Sequence, residues 1–186
     1  FFGNWVNTTE NMITGKGYIV RGPSGFSNTV AADYTVPYRN IPNNGVVAVD
    51  VERGGYTGPD YPNPNPAITA PVTRYDDNWN LVGNPYPSAI DAKALMTSNT
   101  NIEGVIRIWT HGNLPSAAVT NPFYGSFAYN YTGSDFILYN LTGPSVQNGY
   151  NGYVPSGQGF FVAMLDGPAD ATQKVYFNKT IKNLRV

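Results

Sequence analysis

The residues that could carry catalytic chemistry in this chain are few and scattered. His111 is the only histidine, and it follows a predicted strand. A histidine triad would depend on this single ring, and a metal site would depend on carboxylates. The glutamates and aspartates, 12 in all, show no spacing that places two of them together as the carboxylate pair of a glycosidase. We therefore expect a protein that is not an enzyme.

One acidic cluster, Asp76-Asp77-Asn78, could bind a cation. Carboxylate and amide oxygens are the ligands that Ca²⁺ prefers, which makes Asp76 and Asp77 weak calcium candidates. The cluster lacks the D-x-D-x-D-G spacing of a dedicated calcium loop, and a side-chain turn before a strand accounts for the same residues. We expect no cofactor, with calcium as the alternative.

Aromatic side chains near predicted loops form a second kind of candidate site. Such rings could stack on sugars while asparagine side chains supply hydrogen bonds. The candidates are Tyr56, Tyr61, Trp109 and Tyr124. The alternative for each ring is packing in the core or against a loop. A coplanar, exposed set would favour sugar binding, whereas scattered or buried rings would favour a scaffold.

The elements that must position these residues are short strands and turns. Fifteen prolines and twenty glycines in 186 residues leave little room for long helices, and tyrosine and phenylalanine lie between them. Charged residues make up only 12 %, so surface polarity comes from amides and hydroxyls. This composition is typical of secreted and cell-surface β proteins.

Charge and hydropathy exclude several classes of partner. The formal net charge is −1 with no run of like charge, which argues against binding of nucleic acid or anionic membranes. Apolar runs such as 160–165 are far shorter than the roughly 20 residues of a membrane-spanning helix. The chain has no cysteine, which excludes disulfides and thiolate metal sites. It begins within ordered-looking sequence, so we expect a domain from a longer polypeptide.

Two similar phrases, Thr14-Gly-Lys-Gly-Tyr-Ile-Val20 and Ser156-Gly-Gln-Gly-Phe-Phe-Val162, indicate an internal duplication. Each reads as a glycine turn that leads into a strand, because glycine adopts positive φ and the following aromatic and β-branched residues favour strands. The simplest interpretation is two hairpin-like units. No helix is predicted after either phrase, so the glycines do not fit a phosphate-binding loop.

The pattern of apolar runs and turns predicts a β-sandwich of jelly-roll type with at most one short helix. Ser88 and Asp91 resemble a capping box that starts a helix over 89–96. Strands are predicted at 17–20, 34–38, 46–51, 79–82, 104–110, 127–131, 136–139, 159–165 and 174–177.

A proline-rich loop over 54–71 is the predicted boundary between two halves, which contain one repeat each. The first half is 1–71 and the second is 72–186, and both belong to one compact unit. In the second half, the Asn84-Pro-Tyr-Pro-Ser88 phrase predicts a rigid corner, because two prolines hold the chain extended around Tyr86. We expect the Asn84 side chain to satisfy backbone groups of this loop.

Several segments together resemble a region of large secreted surface proteins of Bacteroidota, especially flavobacteria. The segments are 79–91 with its Asn-Pro-Tyr-Pro-Ser phrase, 106–109, 153–162, 12–20 and 42–45. In such proteins this region lies near the C-terminus, upstream of the sorting domain for type IX secretion. This chain carries no recognisable sorting domain of its own.

That resemblance implies an exported, surface-attached, all-β module of an adhesin-like protein, possible cargo of the gliding machinery, with no catalytic motif to transfer. We expect a non-catalytic extracellular module that acts in adhesion or as a structural unit of a surface assembly. The alternative is a carbohydrate-binding module, and a glycoside hydrolase is third. The expected partners are a surface glycan or protein and neighbouring domains of the same polypeptide.

Overall fold

The computed structural model describes residues 9–20, 25, 27, 29–37, 39, 41–62, 71–110, 112–114, 116–118, 135–144 and 150–182. Within these residues the chain forms nine strands, one α-helix and one short 3-10 helix at Lys179–Ile181. In chain order the elements are β1 (Val47–Arg53), β2 (Trp79–Gly83), β3 (Ile90–Asp91), α1 (Ala92–Ser98), β4 (Ile102–Trp109), β5 (Phe136–Asn140), β6 (Gly143–Pro144), β7 (Tyr153–Val154), β8 (Gly159–Met164) and β9 (Asp170–Phe177).

The strands form three antiparallel sheets. The largest has five strands in the order β2-β8-β4-β5-β6, and a two-stranded ribbon pairs β1 with β9. A third, minimal sheet pairs β3 with β7. We call the β1–β9 pair the ribbon throughout.

The core lies between the five-stranded sheet, the ribbon and α1. Alternate residues of β8 and β9 point inward, as the period of two along a strand requires, so that Phe160, Val162, Val175 and Phe177 are fully buried. The rings of Phe160 and Phe177 meet edge to face at 6.4 Å and join the sheet to the ribbon. Leu95 of α1 is also completely buried in this cluster. The predicted all-β, sandwich-like fold with one short α-helix is confirmed.

The two predicted strands of the first repeat, Gly17–Val20 and 34–38, are wrong. Residue 38 lies outside the described residues, and the rest of both segments has no strand structure; one bridge joins Lys16, just before the first segment, to Val82. Ile19 and Val20 remain 41 % and 73 % exposed. Strand propensity alone gave no strand here, because these side chains find no apolar surface to pack against. The predicted strand at 127–131 lies outside the described residues.

The predicted hairpin after the second glycine phrase is also wrong, because its two strands, β8 and β9, do not pair with each other. β8 pairs with β2 on one edge and β4 on the other, while β9 pairs with β1. The ribbon thus joins a strand from the predicted first half, 1–71, to the last strand of the predicted second half.

The helix begins three residues later than predicted. Asp91, which the capping-box interpretation placed inside the first turn, is itself the N-cap of α1, and its carboxylate accepts a hydrogen bond of 2.9 Å from the Ala94 amide. Residues Ile90 and Asp91 pair with β7 as β3, so the chain is still extended where the capping box would start a helix. A single aspartate therefore ends a strand and starts a helix.

Both glycine phrases lie against β2, on opposite edges of the same strand. Gly17 donates to Leu81 and Gly83 donates to Gly15 on one edge, at 3.0 and 2.8 Å. On the other edge β8 runs antiparallel to β2, with Gly159 opposite Gly83. In the described part of the chain, no helix is long and apolar enough to cross a membrane.

Candidate functional site

The two tyrosines predicted in the proline-rich loop contact each other. The rings of Tyr56 and Tyr61 meet edge to face, with centroids 5.4 Å apart and planes at 83°. The Tyr56 hydroxyl donates to the Pro59 carbonyl, and Tyr61 pairs with Val72 through two backbone hydrogen bonds. A perpendicular pair offers no common plane for a sugar chain. These contacts fit packing of a loop against itself better than ligand stacking.

The third predicted residue, Trp109, lies on β4 in a different aromatic cluster. Its ring stacks on Phe136, its cross-strand neighbour, at 6.1 Å, and Phe136 meets Phe161 edge to face at 5.9 Å. Trp109 is half-buried. His111 and the fourth predicted aromatic residue, Tyr124, lie outside the described residues.

On the same face of the five-stranded sheet, Arg107 covers a second tryptophan. Its guanidinium carbon lies 4.1 Å from the centroid of the Trp79 ring, a cation–π contact. Burial lowers the pKa of Arg107, while Glu103 and Asp76 act in the opposite direction. Leu138 and Phe161 lie opposite Arg107 on the neighbouring strands. The sheet face therefore carries a half-buried arginine between aromatic and aliphatic side chains.

The two aspartates considered for calcium, Asp76 and Asp77, accept hydrogen bonds from nearby residues of the protein. One Asp76 oxygen accepts hydrogen bonds from the Thr73 amide at 2.7 Å and the Thr73 hydroxyl at 3.1 Å. Asp77 accepts from the Tyr56 amide at 2.9 Å and so ties the loop after β1 to the start of β2. Among the described residues, no group of three or more His, Cys, Asp or Glu side chains could hold a metal ion. These contacts agree with the side-chain turn that the sequence favoured.

Asn84 is the centre of the predicted rigid corner. Its amide nitrogen donates to the carbonyls of Ser88, Val154 and Pro155 at 2.9 to 3.1 Å, and its oxygen accepts from the Tyr86 amide at 3.0 Å. The side chain is 6 % exposed. The expectation that Asn84 satisfies loop backbone groups is confirmed, and the amide also reaches across to β7.

Tyr86 fastens the same corner to two distant segments. It is completely buried, and its hydroxyl donates to the Gly45 carbonyl at 2.7 Å. Burial raises the pKa of this hydroxyl. The Tyr86 carbonyl accepts from the Ser156 hydroxyl at 2.7 Å, and the Lys182 ammonium lies 4.0 Å from the ring centroid. The corner thereby connects the turn before β1, the second glycine phrase and the 3-10 helix.

Asparagine side chains also cover both edges of the ribbon. On the β1 edge, Asn80 accepts from the Glu52 amide at 2.8 Å and donates to the Glu52 carbonyl at 2.7 Å. On the β9 edge, Asn99 makes the same pair of bonds to Tyr176, at 2.7 and 3.1 Å. Each side chain mimics the peptide group of a neighbouring strand, so the backbone amide and carbonyl of that one edge residue stay satisfied.

These contacts on the β9 edge create a polar cleft, which we call the amide groove. It has a volume of about 350 Å³ and lies between residues 98–101, at and just after the end of α1, and residues 172–174 and Tyr176 of β9. Asn101 fixes the near wall by donating to the Gln173 side chain at 3.1 Å and to the Lys174 carbonyl at 3.0 Å. The outward side chains of Thr172, Lys174 and Tyr176 form the far wall.

The charged groups at the amide groove are paired. The Lys174 ammonium bonds the Asp50 carboxylate across the ribbon, and this bond raises the pKa of Lys174. Hydrogen bonds from the side chain and amide of Thr172, and from Gln173, lower the pKa of Asp170 to about 2. Arg53 adds an ion pair to Asp170 at 3.9 Å. The groove surface is therefore dominated by amides and hydroxyls rather than by unpaired charge.

Sequence reasoning missed this groove because its two walls are about seventy residues apart along the chain. No local motif links Asn99 and Asn101 to β9. The one signal was compositional, since asparagines cluster around 99–101 in a chain whose polarity comes from amides.

The chain belongs to the family described as Domain of unknown function (DUF8693), which it matches over residues 1–185. No curated protein and no solved structure matches it significantly.

Proposed function

We propose that this DUF8693 domain is a non-catalytic binding module of a secreted bacterial surface protein, acting in adhesion or as a unit of a surface assembly. The observation that carries the proposal is how the buried polar side chains are used. Asn84 and Asn99, both buried, donate and accept hydrogen bonds almost entirely with backbone groups. Such contacts stiffen loops and strand edges, as a scaffold for recognition requires.

The resemblance to surface proteins of Bacteroidota supports the location of this module outside the cell. The low share of charged residues, 12 %, agrees with it, because amides and hydroxyls supply the polar surface. Export by type IX secretion and a link to gliding motility are parts of the same proposal and come from that resemblance alone.

A carbohydrate-binding module is the second candidate, and the amide groove is the observation that favours it. Its position differs from that of the tyrosine pair and of Trp109, which the sequence suggested. A glycoside hydrolase, the third candidate, gains no supporting contact within the described part of the chain.

An adhesion assay with the whole chain tests the main proposal. Beads coated with the protein should retain flavobacterial cells several-fold better than beads coated with an unrelated protein of similar net charge. Retention equal to that control would contradict the proposal. Treating the cells with proteinase removes protein ligands, and treating them with periodate destroys glycan diols, so the two treatments separate the two classes of partner.

A further inference from the structure

We propose that the amide groove binds a neutral glycan chain on the ring of Tyr176, an inference that rests on the proposed function. The argument combines four features of the groove: an exposed ring, unused polar atoms, rigid walls and paired charges.

Tyr176 provides the apolar surface on which a sugar ring stacks. Its side chain is 48 % exposed, although it lies within β9 of the ribbon, one residue before the strand ends, rather than at a loop tip. Its cross-strand neighbour on β1 is Ala48, which is too small to cover the ring. A tyrosine combines an apolar body with a polar end, as the alternating C–H and hydroxyl surfaces of a sugar require.

The groove also contains polar atoms that bond no residue in the described part of the chain. The Tyr176 hydroxyl, the Thr100 hydroxyl and the Asn101 oxygen form no hydrogen bond with any residue that the structure describes. The Thr172 hydroxyl donates to Asp170 and so has acceptor capacity left. Sugar hydroxyls both donate and accept, and this mixture of free donors and acceptors matches them.

The walls are fixed before any ligand arrives. Asn99 bonds both the amide and the carbonyl of Tyr176, and a third bond joins it to the Leu95 carbonyl at 2.9 Å. The backbone carbonyl of Asn101 accepts from the Leu165 amide at 3.1 Å, which attaches the same loop to the end of β8. A rigid groove loses little conformational entropy when it binds, so even a shallow contact can hold a ligand.

The paired charges favour a neutral ligand over an anionic one. Lys174 is the cation of the groove, and its bond to Asp50 compensates its charge. An acidic polysaccharide would have to compete with Asp50 for this ammonium. A neutral chain can use the hydroxyls and amides without breaking the ion pair.

Affinity electrophoresis of the whole chain in gels containing a soluble neutral polysaccharide tests the inference. The probes are a β-glucan, a xylan and a mannan, with alginate as the anionic comparison. We expect at least one neutral polysaccharide to retard the protein and alginate to have no effect. Tyr176→Ala should raise the dissociation constant about tenfold or more, the effect of losing a stacking platform. Tyr176→Phe keeps the ring and should keep most of the binding.

One matched control and one second groove variant complete the test. Tyr61 is exposed to a similar extent, 44 %, but lies outside the groove, so Tyr61→Ala should leave retardation unchanged. Thr100→Arg places a long side chain at an exposed groove position and should block binding without changing the melting temperature.

The possible outcomes separate this inference from the proposed function. Retardation that survives both Tyr176→Ala and Thr100→Arg would overturn the groove as the site, and so would retardation by alginate alone. If no neutral polysaccharide retards the folded protein but the beads still retain cells, the glycan inference fails and the surface module stands. If both assays are negative, both proposals fail.

Discussion

The two glycine phrases start alike and end differently. Gly15 and Gly157 both adopt positive φ, at 81° and 73°, so each phrase forms the same kind of turn. After the second turn the chain continues as β8 for six residues, whereas after the first it makes one bridge at Lys16 and leaves β2. Both turns lie on β2, so the strand that they share cannot explain the difference.

The difference lies at the edge of each segment that faces away from β2. β8 has β4 as its second neighbour, and its inward residues Phe160 and Val162 are completely buried. The segment after Gly17 has no strand beyond it in the described part of the chain, and Val20 is 73 % exposed. A local phrase can specify a turn, but a strand needs partners and apolar burial along its length.

The largest expected effect concerns Asn84, which among the described residues supports the second phrase and makes no bond to the first. The backbone N–H of Asn84 donates to the Gln158 carbonyl at 3.0 Å. Its side chain donates to the carbonyls of Val154 and Pro155, just before that phrase. Asn84→Ala would leave several buried backbone groups unsatisfied. We expect the free energy of unfolding, measured by urea denaturation, to fall by about 3 kcal/mol or more.

Asn43→Ala is the matched control for that variant. Asn43 also donates to a carbonyl of this corner, that of Pro85, but it lies on the exposed side. Its loss should cost less than about 1 kcal/mol. A similar cost for the two variants would show that the corner does not support the second phrase.

The second glycine of each phrase gives a direct test of the comparison. A Cβ at Gly17 would come within 2.5 Å of Leu81 Cγ and 2.9 Å of the Val82 carbonyl oxygen. A Cβ at Gly159 would meet nothing nearer than 3.7 Å. We expect Gly17→Ala to lower the free energy of unfolding by about 1 to 3 kcal/mol and Gly159→Ala to change it by less than about 0.5 kcal/mol. Equal effects in thermal or urea unfolding would contradict the different packing of the two edges.

The smallest effect is expected at the first residue of each phrase. The Ser156 hydroxyl donates to the Tyr86 carbonyl, whereas Thr14 is exposed and its hydroxyl bonds no described residue. Ser156→Ala should cost about 1 kcal/mol, and Thr14→Ala should fall within about 0.5 kcal/mol. The difference between their melting temperatures is the measurement, and a larger shift for Thr14→Ala would reverse our assignment of which phrase is anchored.

Local patterns in the sequence predicted single elements well. The turn residues before Val46 predicted the strand after Gly45, alternating residue types predicted the strand at Trp79, and the paired prolines around Tyr86 predicted the corner. Asn84 was identified because asparagine commonly bonds nearby backbone. These predictions depend on residues close together in the chain, where residue type and spacing carry the information.

Pairing and the candidate site could not be predicted in this way. β8 and β9 are separated by only five residues yet belong to different sheets. The contact between Asn99 and Tyr176 spans 77 positions, and no residue type announces it. The tyrosines predicted as ligand residues were selected by ring chemistry and proximity to loops. The exposed ring of Tyr176 lies instead within the strand that the sequence predicted at 174–177.

The asparagines on the ribbon have a consequence for solubility. Exposed strand edges are sites where chains aggregate, and many proteins protect them with charged side chains, whose repulsion weakens as ionic strength rises. Asn80 and Asn99 protect one residue on each edge of the ribbon, Glu52 and Tyr176, by bonding its backbone amide and carbonyl. A neutral amide neither titrates nor is screened, so this protection against edge-to-edge association does not vary with pH or salt.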